Sequence, residues 1–282
     1  MNIKQFLIQF KGIEKTLKKR RILLLSGGFG EERSASQYSG KKIFEILKIH
    51  KFKVARIDPA RRNFIPLLKN TDIVFNALHG EFGESGHLSA ILDYLKIPYT
   101  FSDTVTSAIC IDKPFFKGVI NKIGLNTPTD NISNSLSGGL IVKKIRGGGS
   151  IGMHLTRHIT NKNGYFYEKF INGKILTVGL FENKGDYMPL GIVEVVMPGS
   201  KKFYDKSAKY GTGLCEYKEY NGKYASEINS SVLKMANFLM LKGAARVDLI
   251  ESAGKLYFLE VNTIPGLYNE SNLMFSANLK GL

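Results

Sequence analysis

The chain has 282 residues, about 1.9 times a nominal 150-residue domain, with 43% hydrophobic and 11% aromatic, so a single small binding module and a disordered chain are both excluded. Forty Lys and Arg against 24 Asp and Glu leave a net charge of +16, but outside Lys15–Arg21 the basic residues stand singly or in pairs, which argues for a solvated surface over nucleic acid. No run approaches the roughly 18 apolar residues of a membrane helix, and the first twenty residues lack a secretory apolar core, so a cytoplasmic protein without a membrane partner is predicted.

Ile3, Phe6, Leu7, Phe10, Ile13 and Leu17 recur at spacings of three and four, which predicts an amphipathic, basic helix over residues 1–20 packed on the body. RILLLSGG then reads as a buried strand running into a glycine turn, followed by a helix from Ser36 to Ile49. Strands over Phe52–Asp58 and Asp72–Leu78, a loop HGEFGESG, a helix over His87–Leu95 and a strand over Tyr99–Phe101 repeat the alternation, which predicts a parallel sheet with crossover helices. One helix is predicted over Thr104–Ile123. Beyond it LIVKKI, YFYEKFI, ILTVGLF, GIVEVVM, ARVDLIE and KLYFLEVN are strand-like, with a single long helix over Ser226–Leu241. Cys110 and Cys215 lie far apart without CxxC or Cys/His spacing, which predicts two reduced thiols and neither a disulfide nor a structural zinc.

Three segments could carry chemistry. In ARVDLIESAGKLYFLEVNTIPG, Glu260 and Asn262 stand at i and i+2 on one strand face, and a hairpin around Ser252–Gly254 would bring Asp248 beside them. Three hard oxygen donors suit Mg²⁺ shared with phosphates; the alternative is that Asp248 and Glu260 pair with Lys or Arg. In VKKIRGGGSIG, a strand-end Lys precedes glycines whose N–H groups could close over phosphate oxygens, or form a plain flexible turn. Glu31, Glu32 and His79 follow the first and third strands, at the carboxyl edge where open α/β sheets bind ligands. The two carboxylates could hold an ammonium or merely favour a helix N-terminus, and His79 could be a satisfied structural histidine.

The chain resembles D-alanine:D-alanine ligases of the ATP-grasp superfamily from about Arg21 onward, through SGGFGEERSAS, FNALHGEFGESG, LKIPYTFSD, IDKPFFK, VK…GGGSIGM, YEKFING…LTVG, FYDKSAKY, ARVD and LEVNTIPG in one fixed order. The resemblance implies an α/β and α+β protein. A basic helical extension (1–20) would precede a Rossmann-like N-terminal domain (21–103), a shortened central ATP-grasp domain (104–179) and a C-terminal ATP-grasp catalytic domain (180–282). It implies ligation of two D-alanines through an acyl phosphate for peptidoglycan synthesis, with ATP and two Mg²⁺ ions, or Mn²⁺ in their place, in a homodimer.

Carried over by motif, Glu32 would bind the ammonium of the first D-alanine and His79 its carboxylate, while Ser271 and Asn272 would meet the second. Lys113, Lys143 and the loop Gly148, Gly149 and Ser150 match the phosphate contacts, and Glu168, Lys169, Phe170 and Ile171 the adenine strand. Asp248, Glu260 and Asn262 match the metal ligands, Arg246 and the Gly266 backbone the oxyanion site, and Lys209 and Tyr210 the lid. Tyr210 implies an amino acid, and not a hydroxy acid, as second substrate. Departures from the pattern fall on the nucleotide side. Gly149 replaces a serine that links Glu32 to the lid tyrosine, so Ser150 is the candidate substitute, and Ile175 replaces the acidic residue that grips the ribose. Thr129–Leu140 and His154–Tyr167 are too short for the family's helix, and the family continues into a C-terminal helix where this chain stops at Leu282. Two alternatives stay open: a related ligase with a different second substrate, and a non-catalytic remnant with impaired ATP binding.

Overall fold

A computed structural model of the protein describes residues 3–130, 139–160, 162–197 and 215–282. Helix α1 (Ile3–Leu17) leads into β1 (Arg21–Leu25), the middle strand of a parallel sheet of order β2-β1-β3, with β2 at Lys53–Ile57 and β3 at Ile73–Asn76. The continuous apolar run of β1 is explained by its burial on both faces. Ile22 and Leu24 pack with Ile43 of α2 (Arg33–Ile49), and Leu23 and Leu25 pack with Leu68, Leu88 and Leu92 on the other side. Each fully buried aliphatic side chain contributes about 1.5–3 kcal/mol, so this alternation alone holds the layers together. Ile8 and Ile13 of α1 are exposed, and Lys18 Nζ, just beyond the helix, lies 5.7 Å above the Phe52 ring; the side chains of Ile3, Phe6, Leu7 and Phe10, on which the expected packing rests, lie outside the described part.

Three sequence expectations in this part are corrected. The segment HGEFGESG is not all loop, because Glu81–Glu84 forms a helical turn, α3, before α4 (His87–Tyr94). Tyr99–Phe101 is no strand: Tyr99 makes one parallel bridge to Val74, and Phe101 turns away at φ 73°. The helix over Thr104–Ile123 is two, α5 (Thr104–Ile111) and α6 (Lys113–Lys122). Asp112 is extended between them, and its carboxylate accepts the Phe115 N–H at 3.2 Å as the cap of α6. Pro114 follows in the first turn, where its missing N–H breaks no helical hydrogen bond.

The second sheet is antiparallel, of order β5-β4-β6, with β4 at Leu140–Lys144, β5 at His154–Thr156 and β6 at Tyr165–Lys169. Residues 139–160 and 162–169 hold strands and turns without a helix. The third sheet has order β11-β10-β7-β8-β9, with β7 at Lys174–Asn183, β8 at Asp186–Val196, β9 at Glu216–Glu219, β10 at Ala244–Ser252 and β11 at Lys255–Asn262. Its apolar face is covered by α7 (Ala225–Leu239) and α6, through Ile228, Val232, Met235, Phe116 and Ile120. On the other face α8 (Asn272–Asn278) inserts Leu273 and Ala277 beside Leu190. Cys110 and Cys215 are buried and unbridged, and burial pushes the Cys110 thiol well up. No helix among the described residues is long and apolar enough to cross a membrane.

Candidate active site

The hairpin expected around Ser252–Gly254 forms, with Ser252 opposite Lys255 and the two turn residues Ala253 and Gly254 at φ 47° and 78°. Such a two-residue turn sets the register of the strands it joins. Carried on unbroken, that register would set Asp248 opposite Leu259, but a bulge between Asp248 and Leu249 shifts the pairing by one residue and puts Asp248 opposite Glu260 and Arg246 opposite Asn262. Arg246 Nε and Nη2 donate to the two Asp248 oxygens at 2.9 and 2.8 Å, and Thr177 Oγ1 donates to Oδ1 at 2.6 Å. Asp248 is thus ion-paired with a half-buried arginine of its own strand. Asn262 Oδ1 accepts the Ile264 N–H at 3.1 Å.

Across the cleft the charge is reversed. Lys113 and Lys117 stand four residues apart on one face of α6, and both are buried. Lys113 Nζ donates to the Gly147 carbonyl at 2.5 Å. Burial holds its pKa below the ordinary lysine range; nearby Lys143 adds to the shift and the Glu260 carboxylate opposes it. Glu168 of β6 receives Lys143 on Oε1 at 2.5 Å and Lys117 on Oε2 at 2.8 Å. Burial works against its ionisation, but the two ammonium groups prevail and keep its carboxyl below the usual range.

The third side of the site comes from the first sheet. Glu32 stands at the N-terminus of α2, where Oε2 accepts the Gly148 N–H at 3.0 Å. The loop backbone can come that close because Gly148 has no side chain: a Cβ there would lie 2.8 Å from Oε2. Glu31 pairs with Lys144 alongside. Glu32 is held in place by its neighbour Arg33, whose guanidinium pairs with Asp58 at 2.5 Å. Burial raises the Asp58 pKa, but the Gly28 N–H and Arg33 outweigh it and leave the carboxyl below its ordinary range. His79 Nε2 lies 2.9 Å from Ser39 Oγ, and its Nδ1 lies 3.8 Å from Glu84 Oε1.

The lysine and carboxylate walls and the glycine loop enclose one cleft, which Glu32 and His79 do not line. Lys113, Lys143, Gly148, Ser150, Glu168, Lys169, Phe170, Ile171 and Ile175 line it together with Asp248, Glu260 and Asn272. A smaller hollow shares Lys113, Gly148 and Glu260 and extends to Glu84 and Asn262. Residues 111–282 match the protein family described as D-ala D-ala ligase C-terminus.

The chain belongs to the D-alanine:D-alanine ligase family. A D-alanine--D-alanine ligase of Aquifex aeolicus is 34% identical over 93% of this chain and 96% of its own length. One from Rhodospirillum rubrum is 33% identical over 89% and 90%. Among solved structures, a D-alanine--D-alanine ligase from Bacillus anthracis superposes with TM-score 0.76 at 26% identity, covering 93% of this chain and 92% of that one. The same enzyme complexed with ATP superposes with TM-score 0.74. The fold is that of the ATP-grasp ligases.

Some residues singled out from the family pattern lie beside the cleft or beyond the described part. Arg246 reaches it through Asp248, and Gly149 lies against Glu32, with 3.1 Å from a notional Cβ to Oε1. Ser271 is buried as the cap of α8, its Oγ accepting the Met274 N–H at 3.3 Å, one residue from Asn272. Gly266 packs against the Tyr268 ring. Lys209 and Tyr210 lie outside the described residues. Among the described residues no three His, Cys, Asp or Glu side chains gather as a metal cluster, so the candidate metal set counts two carboxylates and one amide. Sequence reasoning missed Lys117, Glu84 and Thr177. The spacing of four from Lys113 could have found Lys117, whereas Thr177 is brought to Asp248 only by the pairing of β7 with β10.

Proposed function

We propose that this chain is an ATP-dependent D-alanine:D-alanine ligase that activates one D-alanine as an acyl phosphate and joins it to the amine of a second, supplying peptidoglycan synthesis. The observation that carries the reading is the pairing of opposite charges across one cleft, with lysines on α6 and β4 and carboxylates on β10 and β11. A polyanionic nucleotide needs the first wall and its divalent cation the second.

Glu32 and His79 hold the first amino acid, the former by its carboxylate on the ammonium group. Lys113 and Lys143 neutralise phosphate oxygens, and the Gly148–Ser150 loop covers them with backbone N–H groups. Asp248, Glu260 and Asn262 supply only oxygen donors, which fits Mg²⁺ or Mn²⁺; bound there, the cations would neutralise charge on the phosphates. Arg246 and the Gly266 N–H receive the tetrahedral oxyanion, while Ser271 and Asn272 meet the second carboxylate. Lys209 and Tyr210 close the site. The reaction uses solutes of the cytoplasm, and a homodimer through the first domain completes the reading.

The test is phosphate release by the purified full chain with ATP, Mg²⁺ and single amino acids. D-Alanine-dependent release with formation of the dipeptide is expected. Release that requires D-serine or a hydroxy acid would replace the second substrate, and no release with any acceptor would leave a non-catalytic protein.

A further inference from the structure

Below the lysines of the cleft lies a three-residue ion cluster of Lys117, Glu168 and Lys143, of which the proposed mechanism uses only Lys143. Lys117 is 2% exposed, the longest polar side chain among the described residues to be so completely enclosed, and it does not line the cleft. Its Nζ sits 2.8 Å from Glu168 Oε2, 5.4 Å above the Phe166 ring and 3.9 Å from Asp130 Oδ2 at the surface. Lys143, on the other oxygen of the same carboxylate, does line the cleft. Glu168 is therefore shared by a lysine that faces a ligand and one that cannot.

A buried lysine is costly to charge without a partner, and so is a buried glutamate. Were Glu168 and Lys143 alone, each would be the other's only counterion, and drawing Lys143 toward a phosphate would strand a buried carboxylate. With Lys117 present the cluster carries two ammonium groups on one carboxylate. Lys143 can then turn to an anion while Glu168 stays ionised, anchored through Oε2, with Oε1 vacated for an N–H donor on the same ligand.

We propose that Lys117 is a positioning residue, the standing counterion of Glu168 that frees Lys143 for the phosphates of the nucleotide. The inference rests on the reading of this cleft as an ATP site.

A double-mutant cycle in the full chain tests it, with Mg²⁺–ATP binding read by calorimetry and the KM values for ATP and D-alanine read separately. Lys117→Met is expected to weaken ATP binding at least tenfold and to leave the KM for D-alanine within about twofold. Made in a Glu168→Gln background, the same change is expected to cost less than about threefold, because no carboxylate remains to capture Lys143. Equal losses in the two backgrounds would mean that Lys117 merely supports the fold, and would overturn the inference; so would unaltered ATP binding by Lys117→Met. Should Lys117→Met not fold, Lys117→Arg keeps the charge, and a loss beyond tenfold in that variant would count against the proposal. Failure of the unmodified chain to bind ATP removes the nucleotide reading and this inference together, whereas the other adverse results remove the inference alone.

Discussion

The two walls of the cleft are built on different principles. On β10 and β11 the functional side chains come from one hairpin, whose turn and bulge together bring Asp248 to Glu260 and Arg246 to Asn262. The opposite wall comes from a helix and a different sheet: Lys113 from α6, with Lys117 of the same helix buried off the cleft, Lys143 from β4 and Glu168 from β6. A wall made by one local element tolerates movement of its surroundings. A wall assembled from three elements depends on how they pack, and its charges must be balanced in a buried setting. The carboxylate wall should therefore fail by losing chemistry, and the lysine wall by losing affinity.

The sharpest way to break this contrast is Glu260→Gln, which removes one charge from the hairpin and leaves its register alone. Turnover is expected to fall by well over a hundredfold with the circular dichroism spectrum and thermal midpoint nearly unchanged. Residual activity within about tenfold, some 1.4 kcal/mol of barrier, would remove the metal role from this residue.

On the other wall, Lys143→Met is expected to weaken ATP binding by about one to two orders of magnitude, the worth of a charge-assisted hydrogen bond, while D-alanine affinity holds. If the two affinities fall together, the lysine wall does not act separately from the amino-acid end.

A smaller change tests the apolar end of the same wall. Ile175 lines the cleft on β7, opposite Val195 of β8. Ile175→Glu is expected to tighten ATP binding by a few-fold, with no gain for 2′-deoxy-ATP; equal gains for both nucleotides would mean that the ribose does not pass this strand.

The smallest expected effect is on stability against pH. Glu168 is held below its ordinary pKa in the folded chain, despite its burial, by Lys143 and Lys117. A carboxyl with a depressed folded-state pKa contributes stability that is fully present above the unfolded value of about 4.3 and is lost as pH falls through the folded value. Acid unfolding of the unmodified chain should accordingly steepen below about pH 4.3, and Glu168→Gln should show a shallower acid limb. Identical limbs, followed by thermal melts from pH 6 to pH 3, would remove Glu168 from the acid response.

Much of this protein was determined by local sequence. The run ILLL after Arg21 is uniformly apolar because β1 is buried on both faces there, and that signal survives without knowledge of its neighbours. The Ala253-Gly254 turn likewise fixes how β10 and β11 pair near the loop, and the spacing of Glu260 and Asn262 puts those two on one face, whereas the bulge that sets Asp248 opposite Glu260 is a feature of the folded sheet. The family motifs added the roles that spacing cannot assign.

Tertiary structure decided what depends on contacts between distant segments. A hydrophobic pattern could not show that Asp112 breaks one helix into two, because its cap competes with helix propagation within a single residue. Nor could it show that Lys117, an ordinary basic residue by sequence, lies buried against a carboxylate 51 positions away. Asp248 reads as a metal ligand in its strand, and its fork with Arg246 follows from their spacing of two on β10, yet its bond to Thr177 exists only because β7 lies alongside β10. The physical reason is the same in each case. Apolar periodicity and turn chemistry are properties of neighbours in the chain, whereas the partner of a buried charge is chosen by the fold, which alone determines which opposite charge shares its low-dielectric surroundings.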